Sequence, residues 1–192
     1  MFFYKRGFDF YMKKQFFSIE FKKENNSSVA KTTRGIYDFI STLSMALIAV
    51  AIIFIFFFRI ATVEGSSMNP TFQDSDKIII TNVSSSYKPL DVVVISRDNA
   101  EPLIKRIIAV EGDSINIDFD TGSVQVNGIT LDEPYINEPT HLNYSDGFNY
   151  PVTVPKGHVF VMGDNRNASL DSRSGQVGFI DVNNIVGKTV LK

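Results

Sequence analysis

From Phe39 to Phe58 the chain runs 20 residues, FISTLSMALIAVAIIFIFFF, without a charged side chain. Wound as an α-helix at about 1.5 Å per residue, such a run covers roughly 30 Å, the thickness of a bilayer's hydrocarbon core. It is apolar all round, unlike the one-sided helices that pack onto the core of a small domain. The run therefore predicts a transmembrane anchor over residues 35–58. A cleavable leader competes with this reading, but the run starts late, exceeds a leader's apolar region and has no small-x-small site just after it.

Charge falls unevenly on the two sides of this run. Residues 1–34 carry eight lysines and arginines against three acids. That excess puts residues 1–34 in the cytoplasm as a basic tail and everything after the anchor on the outer face, so the chain reads as a single-pass cell-membrane protein. The tail alternates aromatics with lysines (MFFYKRGFDFYMKKQFF). This suits contact with anionic membrane lipid, and a plain disordered tail is an equal alternative. Residues 59–192 hold 11 basic and 17 acidic residues, net −6, which argues against a nucleic-acid partner. The absence of cysteine removes a disulfide framework and a thiol nucleophile.

Beyond the anchor the pattern turns to short β-branched runs: DKIIITNV (76–83), LDVVVIS (90–96), PLIKRIIAV (102–110), SINIDF (114–119) and HVFVMG (158–163). Each reads as a strand. SVQVNGITL alternates on both sides of Asn127-Gly128, a dipeptide suited to a two-residue hairpin turn, and Asp120-Thr121-Gly122 marks another turn. The polar stretch from Glu133 to Tyr150 reads as a loop, so residues 114–150 form an inserted hairpin and loop region. The expected fold is mainly antiparallel β over 59–192, with one N-terminal transmembrane α-helix.

His141 and His158 have no spaced Cys or His partner, and both read as loop or surface residues, which sets aside a zinc site and a Ser-His-Asp triad. GDNRNASLDSR spaces its oxygens like a calcium loop, but Arg166 sits at the third position and the required Gly and Glu are missing. Without a histidine, a serine hydroxyl can still be activated by a lysine amine whose surroundings strip its proton. Lys105 and Arg106 both have apolar residues two away on their own strand face: Leu103, Ile107 and Ala109 beside the first, Ile104, Ile108 and Val110 beside the second. Periodicity leaves open which of them enters a site, and an edge strand with snorkelling side chains is the competing reading. A serine is offered by Glu64-Gly-Ser-Ser-Met-Asn-Pro-Thr71, where Gly65 permits close backbone approach and Pro70 ends ladder pairing. Ser67 lies nine residues past the apolar run. Even an extended chain carries it no more than about 30 Å from the membrane.

Three segments resemble the motifs of bacterial type I signal peptidases. Gly65-Ser66-Ser67-Met68-Asn69-Pro70-Thr71 resembles the G-x-S-M-x-P-T box, Lys105-Arg106 with Gly112-Asp113 resembles the K-R…G-D box, and Gly163 to Arg173 resembles the G-D-N-R…S-x-D-S-R box. Order and spacing agree, and the short, single-span form resembles that of Gram-positive bacteria. The resemblance implies a Ser-Lys serine endopeptidase with a signal-peptidase-type β domain. Ser67 is then the nucleophile, its backbone N–H an oxyanion donor, and Lys105 the general base. Ser169 is the hydroxyl that orients the amine, and Asp171 and Arg173 support the site, with Arg166, Asp164 and Asn165 as satisfied loop residues. It further implies no metal or cofactor, preprotein signal peptides as substrates, and proximity to the secretion translocon. Two positions depart from the pattern: Gly65 stands where some relatives carry a second oxyanion hydroxyl, and Leu90 where glycine is common. A specialised pilus- or substrate-processing peptidase and an inactive surface assembly module are the alternative readings.

Overall fold

The structure, a computed structural model, describes residues 31–81, 86–98 and 100–191. The expected basic tail up to residue 30 and the end of the DKIIITNV run, Asn82-Val83, lie outside the described residues. Helix α1, Lys31–Phe57, carries the apolar run and is long and apolar enough to cross a membrane. It stops one residue short of the expected anchor end. Phe58 already opens a strand, paired with Thr81, and that ladder claims its backbone groups. The chain divides into two compact units, and the second, Ile55–Lys192, contains every strand among the described residues.

This second unit is built from β1 (Phe58–Thr62), β2 (Lys77–Thr81), β3 (Val92–Arg97), β4 (Ala100–Val110), β5 (Ser114–Asp118), β6 (Ser123–Val126), β7 (Ile129–Thr130), β8 (Val152–Thr153), β9 (His158–Met162), β10 (Ile180–Asp181) and β11 (Ile185–Leu191). They form an antiparallel seven-stranded sheet in the order β1-β2-β11-β3-β4-β9-β10 and a four-stranded sheet in the order β7-β6-β5-β8. All five β-branched runs become strands. Asn127 and Gly128 both take positive φ, 53° and 79°, as the β6–β7 hairpin turn requires. Residues 133–150 contain no strand.

Strand alternation distributes the core. Val92 and Val94 of β3 enter one cluster with Val63, Met68 and Phe72, whereas Val93 and Ile95 enter another on the opposite face. A third cluster joins the two sheets, with Ile115, Ile117 and Val124 packed against Phe160 and Met162. The alternation expected along β4 breaks at Ile107, where the pairing with β9 shifts register before Ala109. Ile107 therefore joins one cluster while Ile108 and Ala109 both join the sheet-joining one. β4 lies between β3 and β9 in the sheet order, and Lys105 and Arg106 are 2% and 9% exposed, so neither side chain snorkels to solvent as the competing reading has it. β9 pairs with β4 only from Arg106 onward. The earlier half of β4 has β3 as its ladder partner and, among the described residues, no strand on the other side.

Leu90, just before β3, has φ 73° and is 51% exposed. A left-handed backbone costs a non-glycine residue about 1–2 kcal/mol, and glycine's greater freedom in the unfolded chain recovers up to about 1 kcal/mol of that. Leu90→Gly is therefore expected to stabilise the protein by roughly 0.5–1 kcal/mol, seen as a higher denaturant midpoint at unchanged slope. A lower midpoint would show that the exposed leucine side chain contributes more than its backbone strain removes.

Candidate active site

The turn after β1 is held at both ends. Val63 N–H donates to Asp76 O and Ser75 N–H to Val63 O, both at 2.8 Å, while Gly65, at φ 82°, donates its N–H to Asp74 Oδ1 at 2.7 Å. A turn of helix-like bonds follows, with Asn69 N–H to Ser66 O and Phe72 N–H to Met68 O. Met68 and Phe72 plug this turn into the core beneath it. Ser66 is left exposed, and Ser67 is half-buried over the cleft. No hydrogen bond among the described residues engages the Ser67 N–H.

Lys105 reaches this turn from β4. Its Nζ donates to Ser67 Oγ at 2.8 Å and to Ile104 O at 3.0 Å, and the residue is only 2% exposed. Burial away from water disfavours the ammonium and brings its pKa down to about 8. Asp171 and Asp164 pull the value up, and Arg97 and Arg173 push it down. Of the two adjacent basic residues, the structure thus brings Lys105 to the serine. Arg106 projects from the opposite face and grips the Asp164 carboxylate with Nε at 2.8 Å and Nη2 at 2.6 Å.

The segment after β9 closes around both. Asn165 holds the serine turn directly, its N–H donating to Ser67 O at 3.0 Å and its Nδ2 to Ser66 O at 3.1 Å. Asp164 Oδ2 accepts from Thr71 Oγ1 at 2.6 Å. Asp171 pairs with Arg173 through Oδ1 and Oδ2 at 2.8 and 2.9 Å, both side chains fully buried, and accepts the Gly163 N–H as well. Arg166 is buried and clasps Glu133 and Thr140. A Cβ on Gly163 would collide with the Ser169 side chain and the Ser67 carbonyl oxygen, so this glycine allows the two segments to meet.

Ser169 departs from what the motif resemblance implies. Its Oγ is buried without a hydrogen-bond partner, because the side chain packs over Gly163 while the Lys105 amine donates to Ser67 Oγ and Ile104 O instead. Ser169 is nonetheless fixed, its carbonyl accepting from Tyr144 Oη at 2.6 Å. Asn165, Asp164, Tyr135 and Tyr144 carry contacts that no sequence period signalled. The histidines stay apart from this network, each ring bonded to a backbone carbonyl: His141 to Phe119, His158 to Lys156.

A cleft of about 460 Å³ opens beside Ser67 and Lys105. One wall is the end of β1 and the turn after it, including Ala61, Val63 and Met68, and the other is Val94 with Leu103 and Ile104. Thr62, Glu64, Arg97 and Glu101 also line it, and the mix suits an extended peptide: apolar patches, a strand edge open on one side, and a hydroxyl bonded to a buried amine.

Comparison with known proteins agrees in extent as well as in kind. The family "Signal peptidase, peptidase S26" matches residues 36–192. Signal peptidase I of Bacillus licheniformis is 32% identical over 162 residues, 80% of this chain and 86% of that protein. Signal peptidase I T of Bacillus subtilis strain 168 is 34% identical over 179 residues, 88% and 91% of the two chains. A crystal structure of a signal peptidase I from Enterococcus faecalis V583 aligns at TM-score 0.44 and 28% identity, covering 55% of this chain and 98% of that one. The match runs from the apolar helix through the last strand, and the chain belongs to the type I signal peptidases, serine endopeptidases of family S26.

Proposed function

We propose that this chain removes N-terminal signal peptides from exported preproteins at the outer face of the cytoplasmic membrane, using Ser67 as nucleophile and Lys105 as general base. The observation that carries the reading is the 2.8 Å contact between a buried lysine amine and a serine hydroxyl at the end of an apolar cleft. The basic residues before α1 favour a cytoplasmic N-terminus, which leaves the sheet domain outside, within reach of substrates held in the bilayer and of the secretion translocon.

In this mechanism the preprotein's cleavage segment lies extended in the cleft and pairs its backbone with the open edge of β4. Small residues at the first and third positions before the cut enter the shallow apolar wall. Neutral Lys105 takes the Ser67 proton as Oγ attacks the carbonyl carbon, and the Ser67 N–H receives the developing oxyanion. The ammonium returns that proton to the leaving amine, an acyl-enzyme remains on Ser67, and a water deprotonated by the same lysine releases it. Arginine in this place could not serve, because it stays protonated at any working pH. Asp171 and Arg173 brace the segment behind the amine. Ser169 completes the site by turning its free hydroxyl toward the amine once Ser67 Oγ has become acylated and can no longer receive a hydrogen bond as a hydroxyl.

Full-length protein in detergent or liposomes is expected to cut a preprotein bearing an Ala-x-Ala site after the second alanine, with product masses fixing the bond. Ser67→Ala and Lys105→Ala should each abolish cleavage; retention of wild-type activity by Ser67→Ala sinks the assignment. Because the base is the deprotonated amine, kcat/KM should rise tenfold per pH unit below about 8 and level off above it. A profile flat from pH 6 to 9 would remove Lys105 from the role.

Burial of Lys105 also has a stability consequence. The folded chain binds this proton more weakly than the unfolded chain, so folding is penalised as pH falls from 10.5 toward 8, by roughly 3 kcal/mol below that. Lys105→Met should therefore be inactive yet more stable than wild type at pH 7, with the advantage fading above pH 10. Equal midpoints for the two proteins at pH 7 would show that the amine is not desolvated.

A further inference from the structure

We infer that Tyr135 and Glu133, in the loop between β7 and β8, are positioning residues that hold the serine turn and the lysine strand in register. The inference rests on the Ser67–Lys105 reading above and assigns a role to residues outside all three motif segments.

The Tyr135 ring lies beside two guanidinium groups, Arg106 at 4.2 Å and Arg166 at 5.9 Å from its centroid. Two buried cations this close to one aromatic ring repel each other, and the arrangement holds because every charge is answered. Arg106 is paired with Asp164, Arg166 is paired bidentately with Glu133, and the ring's π electrons attract both cations. Tyr135 Oη donates to Glu133 Oε1 at 3.0 Å, fixing the ring against the carboxylate. Burial and the Glu133 charge both raise the phenol pKa, so the hydroxyl stays a donor throughout the working range.

From this pair the contacts lead to the reacting groups in two steps on each side. Arg106 is the strand neighbour of Lys105, and its Nη1 also donates to Leu90 O at 2.9 Å, tying β4 to the start of β3. Asp164, gripped by Arg106, accepts the Thr71 hydroxyl at the end of the serine turn, and the next residue, Asn165, binds Ser66 O and Ser67 O. Arg166 Nε donates to Gly163 O at 3.1 Å, at the glycine that lies against the Ser67 carbonyl. A change at Tyr135 frees Arg106 to swing away from Asp164, and the serine turn then loses its fixed distance from Lys105. Displacement of about 1 Å in a reacting pair costs up to about a hundredfold in rate, far more than it costs in substrate binding.

The test compares Tyr135→Leu, Tyr135→Phe and Glu133→Gln in the full-length protein, with Gly128→Ala in the β6–β7 turn as a control for general destabilisation. Two readouts are taken: kcat and KM on an Ala-x-Ala preprotein, and the titration of the Lys105 amine followed by NMR, which needs no substrate. Tyr135→Leu should lower kcat at least tenfold with KM within about twofold, and move the amine's titration upward from about 8 as its surroundings open to water. Asp171, Asp164, Arg97 and Arg173, the charges that face this amine, are intact in every variant. Tyr135→Phe keeps the ring and should stay within about threefold of wild type, and Glu133→Gln should fall between the two. The proposal is overturned if Tyr135→Leu and Glu133→Gln keep wild-type kcat and an unmoved titration, if KM alone changes, or if Gly128→Ala at an equal loss of stability produces the same fall in kcat. Should Tyr135→Leu not fold, Glu133→Gln decides by the same readouts. A wild-type protein that cuts nothing counts against the peptidase reading, and the amine titration then still decides the positioning role.

Discussion

The proposed chemistry depends on holding a lysine amine's pKa down, to about 8, in a place crowded with carboxylates. Desolvation alone favours neutral Lys105, but Asp171 and Asp164 would restore its charge if either were free to pair with it. Each instead has an arginine of its own: Asp171 is held by Arg173, and Asp164 by Arg106. Asp171 still raises the amine's pKa more than its partner Arg173 lowers it, but desolvation is the largest influence, and Arg97 and Arg173 push in the same direction as burial. A buried ion pair adds little to net stability, because the desolvation of two charges offsets their attraction, so these pairs are poorly explained as devices for holding the fold together. They make better sense as the means by which a carboxylate-rich segment can be wrapped around a lysine while its pKa stays below the ordinary lysine value.

The same segment supplies geometry. Gly163 to Arg173 reaches the serine turn by backbone and side-chain bonds from Asn165, reaches Thr71 through Asp164, and is itself held by Arg166 on Glu133 and Tyr144 on Ser169. Every one of these contacts joins residues far apart in sequence, and the hydrogen-bonded Ser67 and Lys105 are 38 residues apart. Strand pairing sets the coarse positions, since β4 is clamped by β3 over most of its length. The buried polar network sets the fine ones, because a fully satisfied network admits few alternative arrangements.

This division explains what could be read in the sequence. The apolar run, the five β-branched strands and the Asn-Gly hairpin are local patterns, and each appears where its residues place it. The motif segments located the serine and lysine, though periodicity alone left Lys105 and Arg106 equivalent; the choice depends on which face of β4 meets the serine turn, a tertiary fact. Tyr144 and Asn165 looked like ordinary loop residues because a hydrogen bond to a partner 25 or 99 residues away has no sequence period, and the Tyr135 ring's contact with Arg106 has none either. The bulge after Ile107 was equally invisible, since it is a property of two strands in register rather than of one. Short strands such as β8 and β10, two residues each, fall below the length at which alternation can be recognised.

β4 shows how one strand can serve both the fold and its chemistry. Its second half, from Arg106 to Val110, pairs with β9, overlaps β3 only at Arg106, and is buried as far as Ala109, where it carries the core contacts that fix the strand. Its first half pairs with β3 alone, and its exposed backbone groups would be a liability on a free protein, open to pairing with any extended chain. Here that edge lines the cleft and is the surface on which a peptide can be bound by main-chain hydrogen bonds, which read extended shape and not side-chain identity. Selection of side chains is then left to the apolar wall of Leu103, Ile104 and Val94. Lys105 sits at the boundary between the halves, next to the open edge yet anchored by the residue that begins the closed one. The amine thereby meets Ser67 at hydrogen-bond distance, while the strand edge beside it stays open for the peptide of the proposed mechanism.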